Sequence, residues 1–153
     1  DESGDSEAYR NTLTLLPYEA AFRPDRITPK PRIYGITHAK IDSEAADDGI
    51  SAPVDDFGRY KVVMPWDVAG STGGQASCWI RVATPATGAS WGFAQQIHTG
   101  QEVAIFHIDG DPDRPVIAGA LPNFENPSVV TSQNANVSMF SSRGGIRFRM
   151  RDT

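Results

Sequence analysis

The sequence predicts an all-β fold, and three observations carry that prediction. Five apolar segments are separated by turn-rich stretches, no long amphipathic helical pattern occurs, and residues 146–151 alternate strictly between apolar and charged side chains. Five strands of this length, with long loops after the first and third, are typical of a small Greek-key barrel of the OB type.

The five predicted barrel strands are divided by glycine, proline and aspartate. These turn-forming residues are dense in 70–74 and again in 109–113. One helical turn is expected near residues 93–97, between the third and fourth strands. The predicted strands lie at about residues 32–41, 58–64, 77–83, 102–108 and 116–121.

The flanks of the barrel are patterned differently from its strands. A short strand is expected at 11–16, followed by a proline-stiffened approach. We expect four regions: an extended lead-in from a larger preceding domain (1–31), the barrel (32–122), a linker (123–136) and a terminal strand pair (137–153). The polar start of the chain, which does not open on Met, is what we expect of a piece of a longer protein.

The terminal strand pair places Arg143-Gly144-Gly145 between two strand-like runs, 137–142 and 146–151. In the second run one face is apolar and the other cationic, because side chains alternate along a strand. An isolated two-stranded ribbon is only marginally stable in water. Either the ribbon folds back on its own domain or it packs against copies of itself. The alternating residues are Ile146, Phe148 and Met150 on one face, and Arg147, Arg149 and Arg151 on the other.

Composition excludes several classes of protein. The chain has 153 residues with 14 basic and 19 acidic side chains, and its net charge of −5 argues against general nucleic-acid binding. Its single cysteine, Cys78, permits no intrachain disulfide, and we expect a buried thiol on a strand. No apolar run is long enough for a membrane span, and no signal peptide is recognisable.

Two motifs resemble a catalytic site and a metal site, but neither has all the features that such a site requires. Residues 88–92 match the Gly-x-Ser-x-Gly pattern of serine hydrolases, with Glu102 and His107 as the other members of a triad, but that motif requires a strand before it and a helix after it. We therefore expect a loop anchored by Trp91, and no catalytic residue.

The three aspartates at alternate positions in 109–113 resemble the start of a calcium loop. The required Gly and Glu are replaced by Arg114 and Ala120, and the three histidines have no ligand spacing. No metal and no cofactor are predicted.

Across about residues 22–127 an ordered set of motifs resembles the VgrG family, the tip spikes of bacterial type VI secretion systems, which are related to phage tail spike proteins. Each motif alone is weak, and their order makes the set specific. The residues that carry it include Gly58, Arg59, Lys61, Trp66, Asp67, Trp79, Arg81, Gly100, Glu102, Val103, Asp109, Gly110, Asp111, Pro112, Arg114 and Pro115.

The resemblance implies an OB-fold neck followed by the start of a trimeric β-helical needle. The implied role is structural and not enzymatic: a homotrimeric spike that helps to pierce membranes and to carry effectors. Its implied partners are tube and baseplate proteins, a tip protein, effectors and, transiently, a membrane, with no nucleic acid. The implied location is assembly in the bacterial cytoplasm followed by export. The alternative is a free-standing OB module that binds single-stranded nucleic acid or oligosaccharide.

We expect a threefold axis beside the terminal ribbon, with the arginines facing solvent. A closed trimer leaves no long strand edge exposed. The side chains expected to point toward that axis are Val137, Met139, Ile146, Phe148 and Met150.

Overall fold

The computed structural model describes residues 9–43, 52, 54–71 and 73–152, which divide into two units, Asp1–Lys30 and Pro31–Thr153. In the described part of the first unit, residues 9–30 form neither helix nor strand. The expected strand at 11–16 is therefore wrong. A strand needs a neighbouring strand to share its backbone hydrogen bonds. In residues 9–30 the backbone hydrogen bonds instead close local turns, such as the bond from the Ala20 N–H to the Pro17 carbonyl at 2.9 Å.

Strands form the regular structure of the second unit, together with two single turns of 3₁₀ helix at Ile108–Gly110 and Ser132–Asn134. In the described residues the strands are β1 (Ile36–Ile41), β2 (Val62–Val63), β3 (Arg81–Val82), β4 (Ala86–Thr87), β5 (Gly92–Phe93), β6 (Glu102–His107), β7 (Pro115–Ala120), β8 (Val137–Ser141) and β9 (Arg147–Arg151).

Five of these strands form one curled sheet in the order β2-β1-β6-β7-β3. Adjacent strands of this sheet are antiparallel, except that β3 and β7 are parallel. The two edge strands meet through a bridge between Tyr60 and Ile80, whose N–H groups donate to each other's carbonyl oxygens at 2.9 and 2.7 Å. This strand order, returning from the last strand to the first, is that of an OB-type barrel. The predicted all-β OB fold is confirmed.

The barrel core consists of the inward side chains of these strands. On β6, Val103 and Ile105 are both fully buried, as expected for alternate residues of a strand. Burying each such side chain contributes roughly 1.5–3 kcal/mol. By contrast Cys78 is exposed, so its expected burial is wrong. It precedes the bridge at Ile80, where the pairing of this segment begins.

A buried carboxylate fixes the loop between β2 and β3. Asp42 is 7% exposed, and its Oδ1 and Oδ2 accept hydrogen bonds from the N–H groups of Ser43 and Gly74, both at 2.8 Å. A buried polar group is tolerated when such bonds replace those to water. Asp42 thereby ties the glycine-rich loop to the end of β1.

A small hairpin, β4–β5, replaces the helical turn expected near residues 93–97. Ala86 pairs with Phe93 and Thr87 with Gly92. At the tip, the Gly88 N–H donates to the Trp91 carbonyl at 2.8 Å. The helical turn is wrong because Phe93 belongs to a strand, and no helix follows it in the described residues up to β6.

Across all the residues described, no helix has the length and apolar character needed to cross a membrane.

Candidate assembly surface

The terminal ribbon is an antiparallel pair of β8 and β9 joined by a tight turn. The Ser142 N–H donates to the Ile146 carbonyl at 2.8 Å, and the Ile146 N–H donates to the Ser142 hydroxyl at 3.0 Å. Gly145 has a φ of +88°, which glycine adopts without strain. At the open end, Asp152 N–H donates to Asn136 O at 3.0 Å, and the Asn136 amide donates to Asp152 O at 3.1 Å. The predicted strand, turn and strand are confirmed, with one register.

This register decides which side chains share a face. Residues directly opposite each other in an antiparallel pair project to the same side, and Phe140 lies opposite Phe148 while Ser138 lies opposite Met150. Ile146 continues the row, because it is two residues from Phe148. One face of the ribbon is therefore an apolar stripe made of Phe140, Ile146, Phe148 and Met150.

Two of the five residues expected at the threefold axis lie on the other face of the ribbon. Val137 is opposite Arg151, and Met139 is opposite Arg149. The prediction that they share a face with the apolar residues of β9 is wrong, and Phe140 takes their place.

The cause is the length of the turn. Three residues, 143–145, separate Ser142 from Ile146, so paired positions are both even or both odd. The sequence alone contains enough information to assign these faces, because the turn Arg143-Gly144-Gly145 is recognisable in it. Counting outward from it assigns Phe140, and not Met139, to the face of Phe148.

The apolar stripe is exposed in the single chain. Its side chains are 73% exposed at Ile146, 62% at Phe148, 54% at Met150 and 38% at Phe140, whereas Val137 on the other face is 5% exposed. Contiguous exposed apolar side chains mark interaction surfaces. Covering each would contribute roughly 1.5–3 kcal/mol, so the stripe is a candidate assembly surface.

The opposite face of β9 is cationic. Arg147, Arg149 and Arg151 are all exposed, and the residues opposite them on β8 carry no charge. Residues 126–153 hold four of the 14 basic residues of the chain and one of its 19 acidic residues. The ribbon is thus a basic segment of an acidic chain.

Four motif residues form the outer face of the barrel beside the Tyr60–Ile80 bridge. The antiparallel bridge aligns Arg59 with Arg81 and Lys61 with Trp79. The Lys61 ammonium lies 4.5 Å from the centre of the Trp79 ring, a cation–π contact worth about 0.5–2 kcal/mol. The Lys61–Trp79 contact therefore stabilises the seam where the barrel closes.

Asp55 organises the turn that leads into this seam. Its Oδ1 accepts the N–H groups of Phe57 (3.0 Å) and Arg59 (2.9 Å), and its Oδ2 accepts the Arg59 guanidinium at 2.6 Å. Desolvation raises the pKa of Asp55, but the hydrogen bonds from Arg59 and Phe57 together outweigh it and bring the pKa below its ordinary value. Gly58, with a φ of +71°, provides the left-handed residue of the turn.

Trp66 and Asp67 lie in the turn that ends the β2 segment. The Asp67 N–H donates to Met64 O, and its carboxylate accepts the Ala69 N–H, each at 3.0 Å. Trp66 remains 54% exposed. The aspartate thus shapes a turn, while the tryptophan presents apolar surface.

The motif before β6 joins that strand to β1. Gly100 N–H donates to Ile41 O, and Ile41 N–H donates to Gln101 O, both at 2.9 Å. Val103 then enters the core, and the Glu102 carboxylate accepts the Asn123 side-chain amide at 2.9 Å. Sequence reasoning found these positions as motif residues and not the contacts that explain them.

The motif between β6 and β7 closes a turn and fastens it to the start of the barrel. The Asp109 carboxylate pairs with Arg114 at 3.2 Å, and its carbonyl accepts the Arg32 guanidinium at 2.6 Å. Gly110 O accepts the Ile33 N–H at 2.9 Å. The remaining motif residues, Asp111, Pro112 and Pro115, complete the turn and open β7.

No group of metal-ligating side chains that could hold an ion occurs in the described ranges. Ser90 lies between β4 and β5, each two residues long, and not between a strand and a helix. The motif that contains Ser90 therefore lacks the geometry of a nucleophile elbow.

An open cleft of about 1250 Å³ lies between the barrel and the ribbon. Phe93, Ile97 and Phe140 line it, as do His98 and Thr99. The His98 Nδ1 and Thr99 Oγ1 are buried and form no hydrogen bond with any described residue. Since Phe140 belongs to both features, the cleft adjoins the apolar stripe.

Comparison with known proteins supplies the family. Residues 53–121 match the family described as the type VI secretion system/phage-baseplate injector OB domain. The match covers four of the five barrel strands, from the β2 segment to the end of β7.

Most of the chain is also similar to curated spike proteins. It is 36% identical over 120 residues to the type VI secretion system spike protein VgrG5 of Pseudomonas aeruginosa, covering 78% of this chain and 15% of that protein. It is 32% identical over 148 residues to VgrG1c of the same organism (93% and 20%), and 33% identical over 145 residues to VgrG3 of Vibrio cholerae (86% and 14%). The chain thus spans a fifth or less of the length of these relatives.

Proposed function

Because the chain belongs to the VgrG family of type VI secretion spike proteins, we propose that it forms the OB-domain portion of a homotrimeric puncturing spike. The role is mechanical and non-enzymatic: the barrel is a neck, and the ribbon begins a β-helical needle. The comparisons support this spike role, and they do not support the alternative of a free-standing module that binds nucleic acid or oligosaccharide.

The observation that carries the proposal is the exposed apolar stripe. Ile146, Phe148 and Met150 were expected at the threefold axis, and we now add Phe140 to them, because the register places it in the same row. Val137 and Met139 lie on the arginine face, so we remove them from the set that points toward the axis.

The strand edges favour three copies over two. In the described residues β8 and β9 pair only with each other, so each ribbon has two open edges. A stack of two ribbons would cover the stripes but leave all four edges exposed. Three ribbons can close edge to edge around a shared apolar centre, which removes the exposed edges.

A neighbouring copy in this arrangement also reaches the cleft beside the stripe. Phe140 borders both the stripe and the cleft. A copy that covers the stripe at Phe140 would therefore lie at the mouth of the cleft.

The wider assembly is proposed from the role of the relatives as type VI secretion spike proteins. The partners are secretion-tube and baseplate proteins, a tip protein, effectors and, during puncture, a membrane. Assembly takes place in the bacterial cytoplasm, and the spike is then exported.

Sedimentation equilibrium of the 153-residue chain tests the assembly. We expect a concentration-dependent monomer–trimer equilibrium, and a strong shift to monomer in the double variant Phe148→Ser/Met150→Ser, because each lost side chain removes roughly 1.5–3 kcal/mol per chain. Val68→Ser is the matched control, since Val68 is an apolar residue that is 98% exposed outside the ribbon. A chain that stays monomeric at every concentration, or a trimer indifferent to the stripe variant, contradicts the proposal.

A further inference from the structure

The arginine face of the ribbon, Arg147, Arg149 and Arg151, is a second surface, separate from the apolar stripe. We propose that it binds the phosphate groups of an anionic lipid membrane. This inference rests on the proposed spike role and assigns to named side chains the membrane contact of that role.

The regular spacing of the three arginines along β9 suits a surface that carries repeated anionic groups. The three guanidinium groups occupy alternate positions of β9, so successive ones start about 6.8 Å apart on the backbone. All three are exposed, and none forms an ion pair with another described residue. Arginine binds phosphate through several N–H donors in a fixed plane, which makes it well suited to phosphate recognition.

The charge distribution directs an anionic surface to this segment. Residues 126–153 hold four basic residues and one acidic residue, Asp152, while the chain as a whole carries −5. The β8 residues opposite the arginines are Ser141, Met139 and Val137, none of which can neutralise them. Electrostatic attraction to a polyanion therefore concentrates at the ribbon.

A lipid surface fits this face better than single-stranded nucleic acid does. Proteins that bind single strands place aromatic rings beside the basic residues, so that bases can stack on them. The aromatic residues of the ribbon, Phe140 and Phe148, lie on the opposite face. The arginine face thus offers phosphate contacts without a stacking platform, as a layer of lipid headgroups requires.

Vesicle co-sedimentation of the 153-residue chain tests this proposal. The probes are phosphatidylcholine vesicles with and without phosphatidylglycerol, at low and high salt. We expect binding only to vesicles that contain phosphatidylglycerol, and weaker binding at high salt. A triple change of Arg147, Arg149 and Arg151 to Gln should weaken the partition constant about a hundredfold, since each arginine near an anionic surface contributes about fivefold.

The matched control changes Arg10, Arg23 and Arg26 to Gln. These three are also exposed, and the change in net charge is identical. A loss of vesicle binding in the triple variant of Arg147, Arg149 and Arg151 (the ribbon variant) and not in the control supports the proposal. Equal losses in both variants, equal binding to neutral vesicles, or no binding to phosphatidylglycerol vesicles overturns it. The proposal is also overturned if a single-stranded oligonucleotide binds the wild-type chain more tightly than the vesicles do and if this binding is lost in the ribbon variant.

Sedimentation of the ribbon variant separates this inference from the spike proposal. The arginines lie off the apolar stripe, so the variant should assemble as the wild-type chain does. Normal assembly without ribbon-dependent vesicle binding refutes the membrane inference alone, whereas vesicle binding by a chain that never assembles refutes the trimer.

Discussion

The barrel strands and the ribbon both carry apolar side chains at alternate positions, but these side chains are buried in the barrel and exposed in the ribbon. In the barrel, Ile105 and Ile117 are 0% exposed, while in the ribbon Ile146 is 73% and Phe148 62% exposed. The barrel closes on itself through the Tyr60–Ile80 bridge, but the ribbon has two strands, and the described chain leaves most of its apolar face uncovered. Alternation in a sequence thus predicts that a face will be covered, and not whether the same chain covers it.

Polar groups show the same contrast. In the barrel, the buried Asp42 carboxylate is matched by N–H groups of Ser43 and Gly74, and Asp55 is matched by Arg59. On the ribbon, the arginine face has no ion pair with a described residue. These two carboxylates are matched by groups of the same unit, whereas the ribbon presents its arginines and its apolar stripe to partners.

The largest expected effect separates the two regions by stability. Ile105→Ala should lower the free energy of unfolding by about 2–5 kcal/mol, because it leaves a cavity in a closed core. Ile146→Ala should change it by less than about 0.5 kcal/mol at concentrations where the chain is monomeric. Urea unfolding followed by fluorescence measures both. Similar losses in the two variants would mean that the apolar stripe is packed against its own chain.

A smaller effect compares the turns of the two regions. Gly110 and Gly145 both have positive φ, +69° and +88°. A Cβ at Gly110 would lie 3.2 Å from Tyr34 Cε1 and 3.3 Å from Ile33 O, whereas one at Gly145 meets nothing within 4 Å. Gly145→Ala should therefore cost about 1–2 kcal/mol from the backbone alone, and Gly110→Ala should cost more. Urea midpoints of the two variants decide this, and an equal or smaller cost at Gly110 contradicts the close packing of the barrel turn.

The smallest effect concerns pH and is confined to the barrel. Because its hydrogen bonds lower the pKa of Asp55 in the folded chain, the carboxylate stabilises the fold above the ordinary value of 3.8, and this contribution is lost as the pH falls through the lower folded pKa. Asp55→Asn should thus be less stable than wild type near neutral pH, with the difference closing in acid.

Urea midpoints measured across the acidic range check this dependence. The control is Asp25→Asn, at an exposed position of the lead-in. A difference for Asp55→Asn that persists unchanged to the lowest pH would show that charge is not its cause.

Much of the fold could be predicted from local patterns. Each barrel strand lies within or beside its predicted segment, because apolar runs bounded by turn-forming residues, such as residues 103–105, form buried strands. The turn at 109–113 and the break at 143–145 were also recognisable, since both depend on residues that favour turns.

What could not be predicted depends on contacts between distant residues. Asp42 and Gly74 are 32 positions apart, and no local pattern links them. The β4–β5 hairpin is local but was also missed, and in it Trp91 approaches Gly88 so closely that a Cβ there would lie 2.4 Å from the indole. The faces of the ribbon are a different case, because the turn length that pairs Phe140 with Phe148 was present in the sequence.

Cysteine labelling of the two faces of the ribbon tests the central claim most directly. Ser138→Cys places a thiol on the face of the apolar stripe without removing an apolar side chain, and Arg149→Cys places one on the opposite face. Both are made in a Cys78→Ser background because Cys78 is exposed. Labelling rates are followed as the protein concentration rises. We predict that the thiol at 138 becomes protected with increasing concentration while the thiol at 149 stays reactive. Equal reactivity at every concentration, or protection at 149 and not at 138, would contradict an assembly built on the apolar stripe.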